Sequence, residues 1–416
     1  MQNAIINRVG RTLTTSKLFW RLVCVLLLMP SLQNVGYAAS QVRISESPLS
    51  RKIQQSIVTA VFEDRNGFLW IGTQHGLYKF NGSSMSEFSA SQHGNNRIPA
   101  SEIKGISQDS NNRILVATFG GGLLAWDDAT NSFLQLADSN IDETRYLSDL
   151  VVSADGRVWV GGKGGLFQYD RNSQTQGLSF IKYKPRNEEG EFSAISSDGY
   201  GNIYVAYGKN LYKIQQSSKF LINIYSGDNS SQHNGQITAL AFDHSNQIYM
   251  GTSAGEVLSL NLTENVLKKT VQLGDQTAVS VVTMLFYKDV LWIGTNDGLV
   301  YSSPAPSVVT TYSQSNSGLP DNHILTLTPG AGFLWVGTYR GLSTLSLVPF
   351  EAFNKQNSGV FNDVLAFSED SENRFWVGTF NGLYLFNEQS GKHTRYKYML
   401  ENGSLADQRI MTMAFK

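Results

Sequence analysis

IVTAVFEDRNGFLWIGTQHGLYKFNG, residues 57–82, decides the fold, because almost everything after it is a copy of it. The stretch opens on an alternation. Ile57, Thr59 and Val61 face one way and Val58, Ala60 and Phe62 the other, the period-2 signal of a strand. Asp64, Arg65, Asn66 and Gly67 then make a turn, since Asp and Asn bond their own backbone and Gly accepts positive φ. Residues 68–73 are a second strand, and the pair Gln74 and His75 separates it from a third at residues 76–80. Residues 85–90 read as a fourth.

The place of Trp70 is taken in turn by Leu115, Trp159, Tyr204, Tyr249, Trp292, Trp335 and Trp376, at intervals of 41–45 residues. Four strands in a repeat of ~40–50 residues are the mark of a propeller blade, because a twisted sheet that is apolar on both faces must stack against neighbours around an axis. The chain is therefore expected to be all-β, a propeller of about eight four-stranded repeats. Departures are few. Ala117 and Ala206 replace the Gly of Gly-Thr, and Glu256 replaces the Leu that opens the third strand. Asn210 stands where Gly is usual, which predicts a left-handed backbone at that position. The sixth and seventh turns lack the Asp.

Residues 1–38 contain Arg8, Arg11, Lys17 and Arg21, no acid, and the apolar run LVCVLLLM before Gly36, Tyr37 and Ala38. That is the layout of a secretory signal peptide, with an uncleaved N-terminal anchor as the alternative. Its removal changes the net charge from −1 to −5, with 29 basic against 34 acidic residues. A mildly acidic body without a basic stripe excludes nucleic acid as the expected partner. Cys24 lies inside the apolar run, so the mature body has no thiol for a disulfide, a nucleophile or a metal site. Ahead of the first repeat, QVRISE at residues 41–46 alternates like a fourth strand. Within it, residues 42–45 are a candidate to close the ring, because an unpaired sheet edge leaves unsatisfied backbone groups; a disordered leader is the alternative. At the other end, residues 408–416 match the opening of a ninth repeat.

The residues Asp64, Gly67, Trp70, Gly72, Thr73, Gly76 and Leu77 in their spacing, with the linker GLPDNHI at residues 318–324, resemble the two-component regulator propeller repeat of bacterial membrane sensors. The resemblance runs over residues 41–416. It implies a periplasmic sensor region, often two seven-bladed propellers in tandem, followed by a β-sandwich, one transmembrane helix and a cytoplasmic histidine kinase or diguanylate cyclase. On that basis the expected organisation is a signal peptide at 1–38, a seven-bladed propeller at 41–349 and the start of a second at 350–416, joined near Pro349 and Phe350. A single eight-bladed ring is the alternative.

The recurring Trp is expected in the core and not as a sugar platform, since it alternates with inter-blade positions of its strand. The turn Ser153, Ala154, Asp155, Gly156 resembles the Asp-box of sialidases, a structural hairpin remote from chemistry. The six histidines are dispersed without ligand spacing, so neither metal nor cofactor is expected. Gly120, Gly121 and Gly122 join two strands, with no helix to make a phosphate loop. No catalytic group emerges.

Variation concentrates in the two residues between the second and third strands, where the flanks stay constant. These pairs supply the candidate ligand-binding residues His75, Lys163, Lys209, Asp297, Tyr339, Arg340 and Phe380. Their mixed character suits a small polar ligand or oligosaccharide, or a periplasmic partner protein, although short surface turns also vary freely. The expected function is ligand sensing in the periplasm for a kinase or cyclase output outside this chain. Contact with the membrane is expected only through such a missing segment or an uncleaved signal, and a homodimer is one assembly open to it. The alternative is an exported propeller enzyme, a lyase or glycosidase acting on glycans.

Overall fold

The structure, a computed structural model, describes residues 42–136, 142–171, 178–183, 192–214, 220–227, 233–245, 247–273, 279–304, 307–346, 364–370, 374–380, 382–387, 392–396 and 410–413. The signal segment, the join at Pro349 and Phe350, and Asn381 lie outside them. The chain divides into two compact units, residues 1–348 and 349–416.

The repeat becomes a four-stranded antiparallel sheet. In sheet 1, β2 (Val58–Glu63), β3 (Leu69–Thr73), β4 (Leu77–Phe80) and β5 (Met85–Phe88) pair in sequence order, and five more sheets of the first unit do likewise. The seventh takes its outer strand from the start of the chain. There β1 (Arg43–Glu46) pairs with Gly341–Ser346, Ile44 opposite Leu345, so the early alternating segment closes a sheet begun about 280 residues later. First strands touch in order from sheet to sheet, and Ile324–Pro329 of the seventh touches β2 of the first. Thr328 Oγ1 donates to Val61 O at 2.8 Å across that contact. The chain folds as a β-propeller.

What stacks the sheets is legible in the Gly-Thr step. A Cβ on Gly72 would lie 2.5 Å from Ile103 Cγ2, and one on Gly294 would lie 2.7 Å from Ile324 Cγ2. At Gly72 and Gly294 the first residue of the next sheet rests on the glycine, so a methyl there requires that residue to shift, whereas sheets 2 and 4 accommodate buried Ala117 and Ala206 at the matching place. Each first strand carries a bulge at the matching place, Val58/Ala60 in sheet 1, which lets Thr59 Oγ1 donate to Ile103 O of sheet 2 at 2.6 Å. Trp70, Trp159 and Trp292 are fully buried between sheets, as expected, whereas Trp335 and Trp376 are half-buried.

Two departures resolve differently from the sequence reading. Asn210 is not left-handed: it opens the strand Asn210–Ile214, the positive φ of 57° belongs to Gly208, and Asn210 Oδ1 accepts from Gly227 N at 3.0 Å. Its side chain, not its backbone freedom, is what the position uses. Glu256, buried at a leucine position, is balanced by Lys269 Nζ at 2.8 Å and by Asn234 N at 2.6 Å. A buried carboxylate needs both a counter-charge and hydrogen-bond donors, and it has them.

The second unit holds one sheet, Val364–Glu369, Phe375–Thr379, Gly382–Asn387 and Lys392–Tyr396. Ile410 N donates to Thr379 O at 3.0 Å, and a Cβ on Gly378 would lie 2.6 Å from Ile410 Cγ2. Ile410 thus docks on the eighth sheet as Ile103 docks on the first.

Candidate functional site

Strand order dictates which loops share a face. Because four antiparallel strands follow one another, the turn between second and third strands and the link entering the first strand lie at one end of a sheet. The Asp turn between first and second strands lies at the other. Within sheets of the first unit, the two loops of the first end are tied by a recurring backbone bond. Gln74 N donates to Ile57 O at 3.3 Å, Phe119 N to Glu102 O at 2.9 Å, Lys163 N to Tyr146 O at 3.1 Å, Asn296 N to Ser280 O at 3.2 Å and Tyr339 N to His323 O at 3.2 Å.

The constant Thr fastens the turn itself. Thr73 Oγ1 donates to Gly76 O at 2.8 Å and accepts from His75 N and Gly76 N, both at 3.1 Å, and Thr338 bonds Gly341 O and Arg340 N in the same way. The variable pair is held by its backbone. Its side chains are free to differ.

Three groups result on this end, each joining a turn to a link. At sheets 6 and 7, Asn322 Nδ2 lies 3.3 Å from Asp297 Oδ1, the Tyr339 ring stacks on His323 at 4.5 Å, and Arg340 Nε is 3.7 Å from Asp321 Oδ2. At sheets 2 and 3, Phe119 and Tyr146 meet edge to face at 5.3 Å, both exposed, with Lys104 Nζ 5.6 Å from the first ring and Lys163 Nζ 5.9 Å from the second. At sheet 1, exposed His75 stands on a cleft of about 610 Å3 with Gln54, Gln55, Tyr78, Glu87 and Ser101. Burial and then the charge of Glu87 raise the pKa of the Tyr78 hydroxyl. Lys209 is half-buried at the turn of sheet 4, and Phe380, 47% exposed, belongs to the second unit.

Sequence reasoning found the turns and missed the links. Tyr146, Asp321, Asn322, His323, Gln54 and Gln55 precede first strands, and nothing in the repeat pattern marks them. Their one signal is position, one to four residues before each first strand.

The opposite end is structural. Asp64 Oδ1 accepts from Asn66 N and Phe68 N at 2.9 and 3.0 Å, and its Oδ2 accepts from Trp70 Nε1 at 2.8 Å. Asp370 holds Trp376 Nε1 at the same 2.8 Å. Where the residue six before the Trp is Ser153, Phe286 or Pro329, the indole N–H of Trp159, Trp292 or Trp335 is buried without a partner among the described residues. In sheets 4 and 5 a Tyr replaces the Trp, and Asp198 and Asp243 face Tyr204 and Tyr249 hydroxyls at 3.4 Å. Among the described residues no group of three or more His, Cys, Asp or Glu is placed to hold a metal ion. In the first-strand bulge of sheet 3, burial pushes the Asp149 carboxyl up to about 6 against the opposing pull of the Leu150 and Ile195 N–H groups.

The family described as two component regulator propeller matches residues 52–75 and 358–381. These are two-component regulator propeller repeats. The two matches take in the first strand, Asp turn and Gly-Thr step of sheets 1 and 8. Among solved structures, the chain is similar to the extracellular domain of a proposed one component system, BT4673, of B. thetaiotaomicron, at 21% identity and TM-score 0.59 over 86% of this chain and 48% of that one. It is also similar to that of a proposed hybrid two component system, BT3049, of the same organism, at 20% identity and TM-score 0.59 over 89% of this chain and 50% of that one. This chain thus spans about half the length of either. Virginiamycin B lyase from Staphylococcus aureus shares the propeller at 9% identity and TM-score 0.60, over 74% of this chain and 100% of its own. At these identities the likeness is one of fold. No curated protein matches the sequence. Among the described residues no helix is long and apolar enough to cross a membrane.

Proposed function

We propose that this chain is the exported, ligand-sensing propeller region of a bacterial signal-transduction receptor whose kinase or cyclase output lies outside residues 1–416. The carrying observation is the presence of two-component regulator propeller repeats at both ends of the described array. In this reading residues 1–38 direct export to the periplasm. Residues 41–349 form one seven-bladed propeller, supported by first strands that touch in a circuit of seven sheets, and residues 350–416 begin a second. Ligand contacts come from the second-to-third-strand turns, among them Lys163, Asp297, Tyr339 and Arg340, together with the links tied to them.

A small polar ligand, an oligosaccharide or a periplasmic protein arriving at that end meets turns and links together, so its binding alters how neighbouring sheets are held. The test is to place this chain in its full-length receptor and measure output with and without residues 42–346. Loss of stimulated output on deletion supports the reading. Turnover of an oligosaccharide by the purified 416-residue chain, with unchanged output on deletion, favours an exported lyase or glycosidase instead. The likeness to virginiamycin B lyase lends that second reading its fold and no residue of a site.

A further inference from the structure

The cleft at sheet 1 has a composition that selects for charge. A short helix α1 (Leu49–Lys52) leads into it and ends in Gln54 and Gln55, with φ of 56° and 52°. Left-handed backbone is disfavoured for a residue with a Cβ, and glycine is the low-cost choice just after a helix. Most other non-glycine residues at positive φ here are Asn or Asp, the types that tolerate it. The two glutamines are held there by Gln54 N donating to Arg51 O at 3.2 Å and Gln55 N to Ser50 O at 2.8 Å. Both are exposed on the cleft, and neither amide has a hydrogen-bond partner among the described residues. Strain maintained at a cavity wall is a mark of a site that uses the side chains it presents.

The floor is Tyr78, 6% exposed, directly opposite Glu87 in the pairing of β4 with β5. Glu87 is half-buried and has no ion pair among the described residues. Among the described residues no Lys or Arg lines the cleft, and His75 is the one basic group there. A cavity with one uncompensated carboxylate, two free amides and several hydroxyls repels anions and favours a ligand that brings its own positive charge. Its volume, about 610 Å3, is that of a small-molecule site.

We infer that this cleft binds a small polyhydroxylated amine, its ammonium against the Glu87 carboxylate and its hydroxyls on the Gln54 and Gln55 amides. The inference deepens the sensing reading and rests on it for the consequence of binding, not for the binding itself.

Calorimetric titration of the purified full chain with glucosamine, glucose and glucuronate, matched in size and differing in charge, tests it. Glucosamine is expected to bind tightest and glucuronate not at all. Glu87→Gln should lower glucosamine affinity about tenfold, one charge-assisted contact, and abolish its advantage over glucose. Replacing both Gln54 and Gln55 by Gly should weaken glucosamine and glucose alike while raising Tm, since the strain is relieved. No heat from glucosamine at millimolar concentration, equal binding of glucuronate, or unchanged affinity in folded Glu87→Gln overturns the inference. If glucosamine binds but full-length receptor output ignores it and every other ligand, the sensing reading fails and the cleft stands. If output responds to a different ligand while glucosamine fails to bind, the cleft fails and sensing stands.

Discussion

Sheet 1 and the sheet of the second unit are built on the same pattern, yet one is buried on both faces and the other is not. Val58, Val61 and Leu69 in sheet 1 are 0%, 5% and 5% exposed, and their counterparts Val364, Phe367 and Phe375 are 48%, 71% and 39% exposed. Pairing of the first two strands is nonetheless the same, down to the first-strand bulge at Val58/Ala60 and at Val364/Ala366. Both also keep the Asp to Trp hydrogen bond at 2.8 Å. The comparison separates two layers of cause. Strand pairing, Asp turn and Thr-fastened turn arise within about 45 residues, because each donor and acceptor is local. Burial arises only between repeats, and a large aromatic such as Phe367 contributes apolar stabilisation only where a neighbour removes it from water.

Tryptophan truncation should separate buried from half-buried sheets most strongly. Trp292→Ala, at a fully buried position, should cost ~3–5 kcal/mol through the cavity it leaves, whereas Trp376→Ala, half-buried, should cost clearly less, as read by denaturant titration. Equal losses would mean that burial between sheets is not what the Trp supplies.

The Asp turn comes next. Asp64→Ala removes the acceptor of two backbone N–H groups and of the buried Trp70 indole, so ~2 kcal/mol should be lost. Ser153→Ala should cost less, since the Trp159 indole in that sheet already lacks a partner among the described residues. Matching losses at the two sites would show the indole bond to be energetically idle.

Asp149 offers a pH-dependent contrast within the ring. Its folded pKa of about 6 lies above the ~3.9 of an unfolded aspartate. The folded state therefore holds this proton more tightly, its stabilising effect is complete below pH ~4, and it is lost as pH rises through about 6. Asp149→Asn should stabilise by ~1–2 kcal/mol at pH 7 and by nothing at pH 3.5, measured as Tm at both. A gain that does not change with pH would assign the effect to packing.

The smallest effects are expected at the surface. Phe367→Ser, Lys163→Glu and Arg340→Glu should each change stability within ~0.5 kcal/mol, since the first is 71% exposed and the other two lie on exposed turns. If the charge reversals also leave receptor response to its ligand unchanged, the turn-bearing end is not the recognition face.

The repeat, the strand order and the chemistry of the turns were legible, because they depend on period and on residues close in sequence, whereas the early alternating segment was compatible with both a closing strand and a leader until its pairing with residues 341–346 was seen. The candidate site was legible by half. The variable turns announce themselves by contrast with constant flanks, but the links that complete each group, such as Tyr146 beside Lys163 or His323 beside Tyr339, have no repeat to contrast with. The αL assignment at Asn210 failed for a related reason. A residue type compatible with left-handed backbone is equally a good acceptor, and the choice depends on Gly227, 17 residues away.

Sequence alone therefore determined the blade, since hydrogen bonds along one hairpin series and a bulge opposite a Gly or Ala are local properties that each copy repeats. Tertiary structure alone decided which blades have both faces covered, which link meets which turn, and that β1 completes a sheet begun at residue 324. Those outcomes depend on contacts between repeats, where every copy offers nearly the same apolar surface and only the order of stacking tells them apart.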